Sequence, residues 1–373
     1  MRAPPPLRPS RLGFTALGLL LPFLASCGDS PSAGGPGDVS GLECTIPLRL
    51  VADGGVGRDG IPALTQPAMV TAADPGAGYL RPRDRVIGLL LDGQPIAVPH
   101  NILWWHEIVN LNGSEARVAV TYCPLTGSSM VFDRSVIDGA ELGVSGLLYQ
   151  ANLIMYDRRS RDSLWPQMMA AAACGPATST ELPMFPSSEM TWEAWQALHP
   201  ETVVVSGELG MGRNYRNYPY GQYEDLANRT FLRFPVPEMD QRLPPKQRVL
   251  GVPFDREGGM AFSLQRLELL GEVAVVTIPG AEGEVAVFWS DFAAGAVAFR
   301  AVLDGTPLTF HSDGERILDR ETGSEWDLAG RAVDGPLQGA RLDPIPDAYV
   351  AFWGPWWAFR PQTDLWVASS GGT

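Results

Sequence analysis

Two stretches of this chain, about 160 residues apart, follow one template, and only the first carries reactive side chains. The first runs from Arg85 to about Ser206 and the second from Arg248 to about Ser369. RVIGLLLDGQPIAVPHNIL from Arg85 answers RVLGVPFDREGGMAFSLQRL from Arg248, and DSLWPQ around Trp165 answers GSEWDL around Trp326. CGPATSTEL from Cys174 answers DGPLQGARL from Asp334, and TWEAWQALHPETVV from Thr191 answers AFWGPWWAFRPQTDLW from Ala351. A template used twice predicts one structural unit used twice. Copies keep what the fold requires and diverge in what a site requires. At the alignable positions the first copy holds His106, Glu107 and Cys123, and the second holds Leu269, Leu270 and Ser290. Chemistry is therefore expected in the first copy.

The opening residues have the pattern of a targeting segment. Arg2, Arg8 and Arg11 precede the apolar run Leu17 to Leu24, which ends in Leu24-Ala25-Ser26-Cys27. A basic start, a short apolar core and small residues before the cut form a secretory signal, here over residues 1–26. A cysteine directly after such a run predicts a bacterial lipoprotein, with a diacylglycerol on the Cys27 thiol and a membrane as partner. The run is too short for a comfortable bilayer span. Residues 27–43, rich in Gly, Ser and Pro, read as a flexible tether. The expected location is the cell envelope, on its periplasmic or outer face.

Export places the remaining cysteines, Cys44, Cys123 and Cys174, in an oxidising compartment. One disulfide and one free thiol is the simplest partition, although spacing does not fix the pairing. Cys44 and Cys174 lie in loop-like surroundings, which leaves Cys123 as the free thiol. The formal charge is −14, and loss of Arg2, Arg8 and Arg11 with the signal takes it near −17. That balance argues against nucleic acid, which rewards basic patches. Lys246 is the only lysine, so Schiff-base chemistry has little to work with.

Beyond the tether the expected order is a leader (44–84), the first repeat (85–206), a Tyr- and Pro-rich linker (207–247) and the second repeat (248–373). Val86 to Leu91, Asp92-Gly93 and Pro95 to Val98 make a hairpin signal. Ile102, Leu103, His106 and Val109 have helical spacing, so a short helix is expected over Asn101 to Asn110. Arg117 to Cys123 and Ser129 to Arg134 read as strands around the Pro124-Leu125-Thr126-Gly127 turn, and Glu141 to Asp157 carries two more. Thr191 to Leu198 reads as a helix stopped at Pro200. The fold class is α+β, mainly antiparallel β with short helices, as two tandem homologous repeats. In the linker, Tyr215, Tyr218, Tyr220 and Tyr223 cluster with Arg213, Arg216 and Asp225. They line a ligand site or cover the apolar faces of the repeats.

The block HEIVN, TYCPLTGSSMVFDR and GVSGLLYQANLIMYDRRSRDSLWPQ, from His106 to Gln167, closely resembles a bacterial and archaeal family of unknown function, DUF3179. GRDGIPAL around Ile61, NYPYGQY and RLPPKQRVLGV resemble it too. The resemblance covers most of the chain after about Gly57. It brings no activity with it, since that family is defined by sequence alone.

The residue types suggest a chemistry for the block. Imidazole and thiolate bind soft and borderline transition metals, and a methionine sulfur completes copper sites. Cys123, His106 and, as a third soft ligand, Met155 are the candidate metal set, for copper or another transition metal. An unpaired, solvent-reachable thiol is a liability in an oxidising compartment, which favours metal binding or catalysis over packing as the reason to keep Cys123. As a catalytic set, Cys123 is the nucleophile or redox thiol and His106 the base, with Glu107 orienting the imidazole or acting as a base itself. Core packing is the competing account of Cys123, His106 and Met155. HExxH, CxxC, GxxxxGK[ST] and GxSxG are all absent. The favoured expectation is an envelope lipoprotein with a Cys123 and His106 centre. The alternatives are a cysteine-nucleophile enzyme and a non-catalytic surface module that binds a small molecule or a protein through its aromatic linker.

Overall fold

Asp92 and Gly93 both adopt positive φ, 51° and 80°, and this tight Asp-Gly turn joins Arg85–Leu91 to Gln94–Pro99 as an antiparallel hairpin. The hairpin is the middle of a sheet ordered Ser188–Thr191, Arg85–Leu91, Gln94–Pro99, Val203–Val205 and Met69–Thr71. A second sheet is ordered Tyr349–Phe352, Arg248–Pro253, Gly258–Ser263 and Gln362–Leu365. In both, the outer strand beside the first hairpin strand is antiparallel to it, and the one beside the second is parallel. We call these the wing sheets.

The computed structural model describes residues 1–2, 41–160, 162–229, 234, 236 and 239–368. Cys27, the signal segment from residue 3 and the tether up to residue 40 lie outside them. The described residues from 41 onward belong to one compact unit. The architecture is α+β, dominated by antiparallel strands with four short helices among the described residues. No helix among the described residues is long and apolar enough to cross a membrane.

After each wing hairpin the chain makes an antiparallel meander. The first is Ile108–Asn112, Arg117–Cys123 and Ser128–Asp133, and the second is Val273–Gly280, Gly283–Ser290 and Gly295–Arg300. A four-stranded sheet follows each meander, built around Leu142–Tyr149 and Asn152–Asp157 in one half and Phe310–Ser312 and Ile317–Asp319 in the other. Because side chains alternate across a strand, each wing and meander has two apolar faces to bury. One face of each wing packs on the meander of its own half: Ile87, Val98 and Val120 in one core, Leu250, Phe262 and Val287 in another. The opposite face packs on the other half. Val249, Ala351 and Trp356 join Cys123, Met130 and Trp165, while Val86, Ala97 and Trp195 join Phe288, Phe299 and Trp326. The halves thus share their cores, and the joints are reciprocal. Phe352 N–H donates to the Thr126 carbonyl, and Thr191 N–H donates to the Ala293 carbonyl, both at 2.9 Å.

The wing helices explain the repeated tryptophans. Thr191 caps Trp192–Leu198, and Trp195 lies flat on the sheet because Gly88 has no side chain there; a Cβ would stand 2.2 Å from the indole. Gly251 stands in the same relation to Trp356, at 2.1 Å. Each indole N–H ends on a threonine: Thr202 at 2.8 Å for Trp195 and Thr363 at 3.0 Å for Trp356. Truncating a buried tryptophan of this kind to alanine costs about 3–5 kcal/mol.

The leader is an edge-closing device. Val51–Asp53, Leu64–Thr65 and Met69–Thr71 each add a strand to a different sheet of the first half, which removes open edges. Cys44 is disulfide-bonded to Cys174, so the leader is also covalently fixed, and Cys123 is the free thiol.

The helix expected over Asn101 to Asn110 is shorter than its spacing suggested. It spans His100–His106 and ends at Glu107, whose φ of 57° leaves the helical path. Ile108–Asn112 is a strand paired with Arg117–Cys123. The β-branched Ile108 and Val109 find a partner strand there, and that pairing outweighs helical periodicity. His106 and Asn110 therefore share no helix face.

Candidate functional site

Along Arg117–Cys123, Val118, Val120 and Tyr122 face the wing of the same half, and Ala119 and Cys123 face the opposite core. Thr121 belongs to the second set. Pro124 follows Cys123, and the chain reverses through Gly127, whose φ is 59° and whose missing Cβ would stand 2.6 Å from the Phe352 ring. Cys123 is at a strand end, as expected, but its exposure is 0%. The thiol is not solvent-reachable, because Phe352, Trp353 and the linker tyrosines close over the turn. Leu153 N–H points at Sγ from 3.4 Å. Burial first, and the Glu107 charge second, push the thiol up to about 11.

Glu107 is 6% exposed, and no hydrogen-bond partner among the described residues reaches its carboxyl group. Desolvation pushes it up to about 8, so it is mostly protonated at neutral pH. Its left-handed backbone is tied down by Leu103, whose carbonyl accepts its N–H at 2.8 Å, and by Tyr122 N–H, which donates to its carbonyl at 2.8 Å. A non-glycine residue in this region is uncommon and carries some strain. Tyr220 is raised by burial and then by Glu107 and Cys123, so the phenol, the carboxyl and the thiol lie within electrostatic reach of one another. We call this buried spot the chamber.

A closed polar network lies beside that chamber. Thr126 and Ser128 hydroxyls bond at 2.8 Å, and Ser128 donates to the Gln167 amide oxygen at 2.6 Å. Gln167 donates to the Thr121 hydroxyl at 2.8 Å, and Asn152 donates to Thr126 and to Gln167 at 3.0 and 2.9 Å. All five residues are 0% exposed. Buried polar groups are tolerated only when satisfied, and a satisfied network holds its neighbours in one geometry.

His106 is held elsewhere. Its Nδ1 is 2.8 Å from the Pro62 carbonyl, which can only accept, so Nδ1 carries the proton and Nε2 accepts from the Tyr215 hydroxyl at 2.8 Å. Burial pushes the ring below its ordinary range. Both nitrogens are thus engaged, and no hydrogen bond joins His106 to Cys123 among the described residues. Met155 is 0% exposed, shares the core of Cys123 and is paired with Trp165 across its strand. Of the expected residues, Cys123 and Glu107 are brought together, with Met155 in the wall of the same core and His106 outside the chamber. Among the described residues no group of three or more His, Cys, Asp or Glu is arranged to hold a metal ion.

The linker forms the roof of the chamber and also lines one open cavity. Tyr223 donates to the Leu125 carbonyl at 2.6 Å, Tyr215 takes His106, and Trp104 meets Tyr218 edge-on at 4.9 Å. The covering reading of this segment thus has a structural counterpart, while the open cavity takes its linker side chains from Glu224, Leu226 and Lys246 and none from the tyrosine and arginine cluster.

A family model described as a protein of unknown function, DUF3179, matches residues 58–363. The chain belongs to the DUF3179 family. No curated protein and no solved structure matches it.

On the far side of Tyr122 this DUF3179 chain buries an ionic cluster. Arg85 Nε bonds to Glu189, and Arg248 reaches Glu189 at 3.5 Å and Glu224 at 2.9 Å. Tyr122 donates to Glu224 at 3.0 Å, and His100 stacks on Tyr122 with Nε2 3.4 Å from Glu189. Burial alone would raise Glu189; Arg85, His100 and Arg248 outweigh it and hold the carboxyl well below its usual range. Arg85, Arg248, Glu224 and Lys246 also line an open cavity of about 310 Å³. Arg85 and Arg248 are the first residues of the equivalent wing strands, so this cluster joins the two halves at their matching ends. Neither it nor the Thr121–Gln167 network was singled out in the sequence. Comparing the halves position by position carries the missing signal, because Thr121, Ser128 and Gln167 stand where Phe288, Gly295 and Leu328 stand in the other half.

Proposed function

We propose that this DUF3179 chain is a lipid-anchored cell-envelope protein built from two copies of one unit, whose first copy performs thiol chemistry at Cys123 with Glu107 as its proton partner. The duplication is supported by the matching wing orders, the paired glycine–tryptophan contacts and the reciprocal joints between the halves. One observation carries the chemistry. A buried carboxyl with no hydrogen-bond partner among the described residues is electrostatically coupled to the free thiol. In the sequence alignment of the halves Leu269 and Leu270 stand against His106 and Glu107, and they are 84% and 39% exposed.

At rest both groups are neutral near pH 7, which is the least costly way to bury them. When a reactant enters beneath the tyrosines, the ionised fraction of Glu107 accepts the Sγ proton. Cys123 becomes the thiolate and Glu107 the acid, so the pair carries one negative charge before and after. The thiolate is then the nucleophile or the redox-active sulfur. Alkylation by iodoacetamide across pH tests this: the rate should rise with a midpoint near 8, where Glu107 ionises, and Glu107→Gln should remove that midpoint. Alkylation that only tracks global unfolding, and that ignores Glu107→Gln, would mark the pair as packing.

The metal reading ranks second, because a copper-type site using Cys123, Met155 and His106 must first free His106 from Pro62 and Tyr215. Elemental analysis of the protein and of Cys123→Ala separates the two. The anchor rests on Cys27 and the segment before it, and incorporation of labelled palmitate that disappears in Cys27→Ala is its test.

A further inference from the structure

We infer that the apolar cavity over Trp195, between the first wing and the second meander, binds a small carboxylate with a flat apolar body, whose anionic end is taken by Arg341 and His199. The cavity holds about 270 Å³, just under the roughly 300–1,000 Å³ of sites for drug-sized molecules. Its walls are chiefly Leu89, Phe185, Trp195, Val297, Phe299 and Leu328.

Four polar side chains, Ser187, Ser188, His199 and Arg341, interrupt this apolar surface, and the last two are those assigned to the carboxylate. His199 is 5% exposed and stacks on Trp195 with ring centroids 4.1 Å apart. Neither of its ring nitrogens has a hydrogen-bond partner among the described residues. Both nitrogens keep some contact with solvent, which leaves them open to a ligand in the cavity that His199 lines. Arg341 stands at the rim, exposed, and makes no ion pair among the described residues. It is close enough to bias the His199 ring electrostatically, together with Arg331, and burial with these charges keeps that ring neutral. Arg331 is already committed to Asp327 at 2.8 Å and to the Leu198 carbonyl at 3.0 Å. A guanidinium and a neutral imidazole N–H facing one space suit a carboxylate, and the aromatic floor suits a flat body.

The other half has diverged at these places. Arg360 follows Trp356 where His199 follows Trp195, and the bridges Ala171 to Glu181 and Arg331 to Arg341 set Glu181 opposite Arg341. Glu181 is paired with Arg256 at 2.5 Å. The equivalent groove there is larger, about 710 Å³, and more polar in its side chains. One architecture has therefore been given two different linings.

Ligand-observed NMR with phenylacetate and its uncharged isostere phenylacetamide tests the assignment. Phenylacetate should bind at least about tenfold more tightly than the amide. Arg341→Gln, at an exposed position, should bring that ratio close to one without affecting folding. His199→Phe, which keeps the stack, should weaken phenylacetate several-fold, Ala329→Trp should block both probes, and Glu181→Gln should change neither. Equal binding of the two probes, binding indifferent to Arg341→Gln, or no binding of phenylacetate at millimolar concentration would overturn it.

Discussion

The meander turn of the first half and that of the second have the same strand pairing and opposite interiors. Cys123 pairs with Ser128 at one turn and Ser290 with Gly295 at the other. Two residues before each, Thr121 enters a polar network while Phe288 packs against Phe299 and Phe310, both at 5.1 Å. The second half demonstrates that an aromatic core satisfies this geometry. The polar interior of the first half is thus an expense the fold does not require, as is the buried Glu107. Buried polar networks cost desolvation that apolar packing avoids, and their retention on one side only is the reason to look for function there.

The largest effect should come from Glu189, whose strand partner position in the second half is Val350. Glu189→Gln leaves Arg85 and Arg248 without their shared buried counter-charge, and breaking such a pair costs about 3–5 kcal/mol. Urea denaturation measures it. A loss under about 1 kcal/mol would mean that the junction is solvent-screened and that the halves differ less than their side chains imply. The same carboxyl makes acid sensitivity specific. Its folded value lies below its unfolded one, so its stabilisation is present above the unfolded pKa and is lost as pH falls.

Glu107 should behave in the opposite sense. Its folded value, about 8, lies above the ordinary carboxyl value of 4.5. The folded protein therefore holds more protons than the unfolded chain between those two values, and stability falls as pH rises through that window. The slope amounts to roughly 3 kcal/mol in total, allowing for relaxation of the buried site. Denaturation midpoints at pH 5 and pH 9 should show it in the native protein, and Glu107→Gln should flatten it. An unchanged slope in that variant would remove the buried carboxyl from the comparison.

Legibility from sequence follows the range of the forces involved. The hairpin at Asp92-Gly93 and the helix after Thr191 are set by neighbours a few residues away, and both were readable. The helix through Asn110 was misread because its end depends on Val120 and Thr121 offering Ile108 and Val109 a strand. Cys123 and Glu107 stood out because the sequence alignment of the halves sets Ser290 and Leu270 against them, without any knowledge of depth. The partners of His106 did not, because Pro62 and Tyr215 are 44 and 109 residues away and no local periodicity encodes them. Burial of Cys123 was unreadable for the same reason: its cover includes Phe352, from the other half.

A smaller effect belongs to Gln167, whose counterpart is Leu328. Gln167→Leu imports the second half's choice into the first. Thr121 and Ser128 each lose a hydrogen-bond partner, and Asn152 loses one acceptor, at fully buried positions. The expected cost is about 1–3 kcal/mol, with faster alkylation of Cys123 as the turn loosens. A neutral or stabilising result would show that the network can be traded for leucine one residue at a time, and that only Cys123 and Glu107 distinguish the halves.

The smallest effect should be at Glu181, opposite in charge to its counterpart Arg341. Its bond to Arg256 joins two side chains that are 70% and 77% exposed. Exposed pairs of this kind are worth about 0–1 kcal/mol, so Glu181→Gln should shift the denaturation midpoint barely beyond error. The sign of the comparison matters more than its size. If Glu181→Gln is nearly silent in stability, charge at this place is free of the fold in one half. Arg341 of the other half, which makes no ion pair among the described residues, is then equally free to be selected for what it binds. A loss of several kcal/mol would instead make Glu181 a structural strut and give Arg341 a stability question to answer before any ligand.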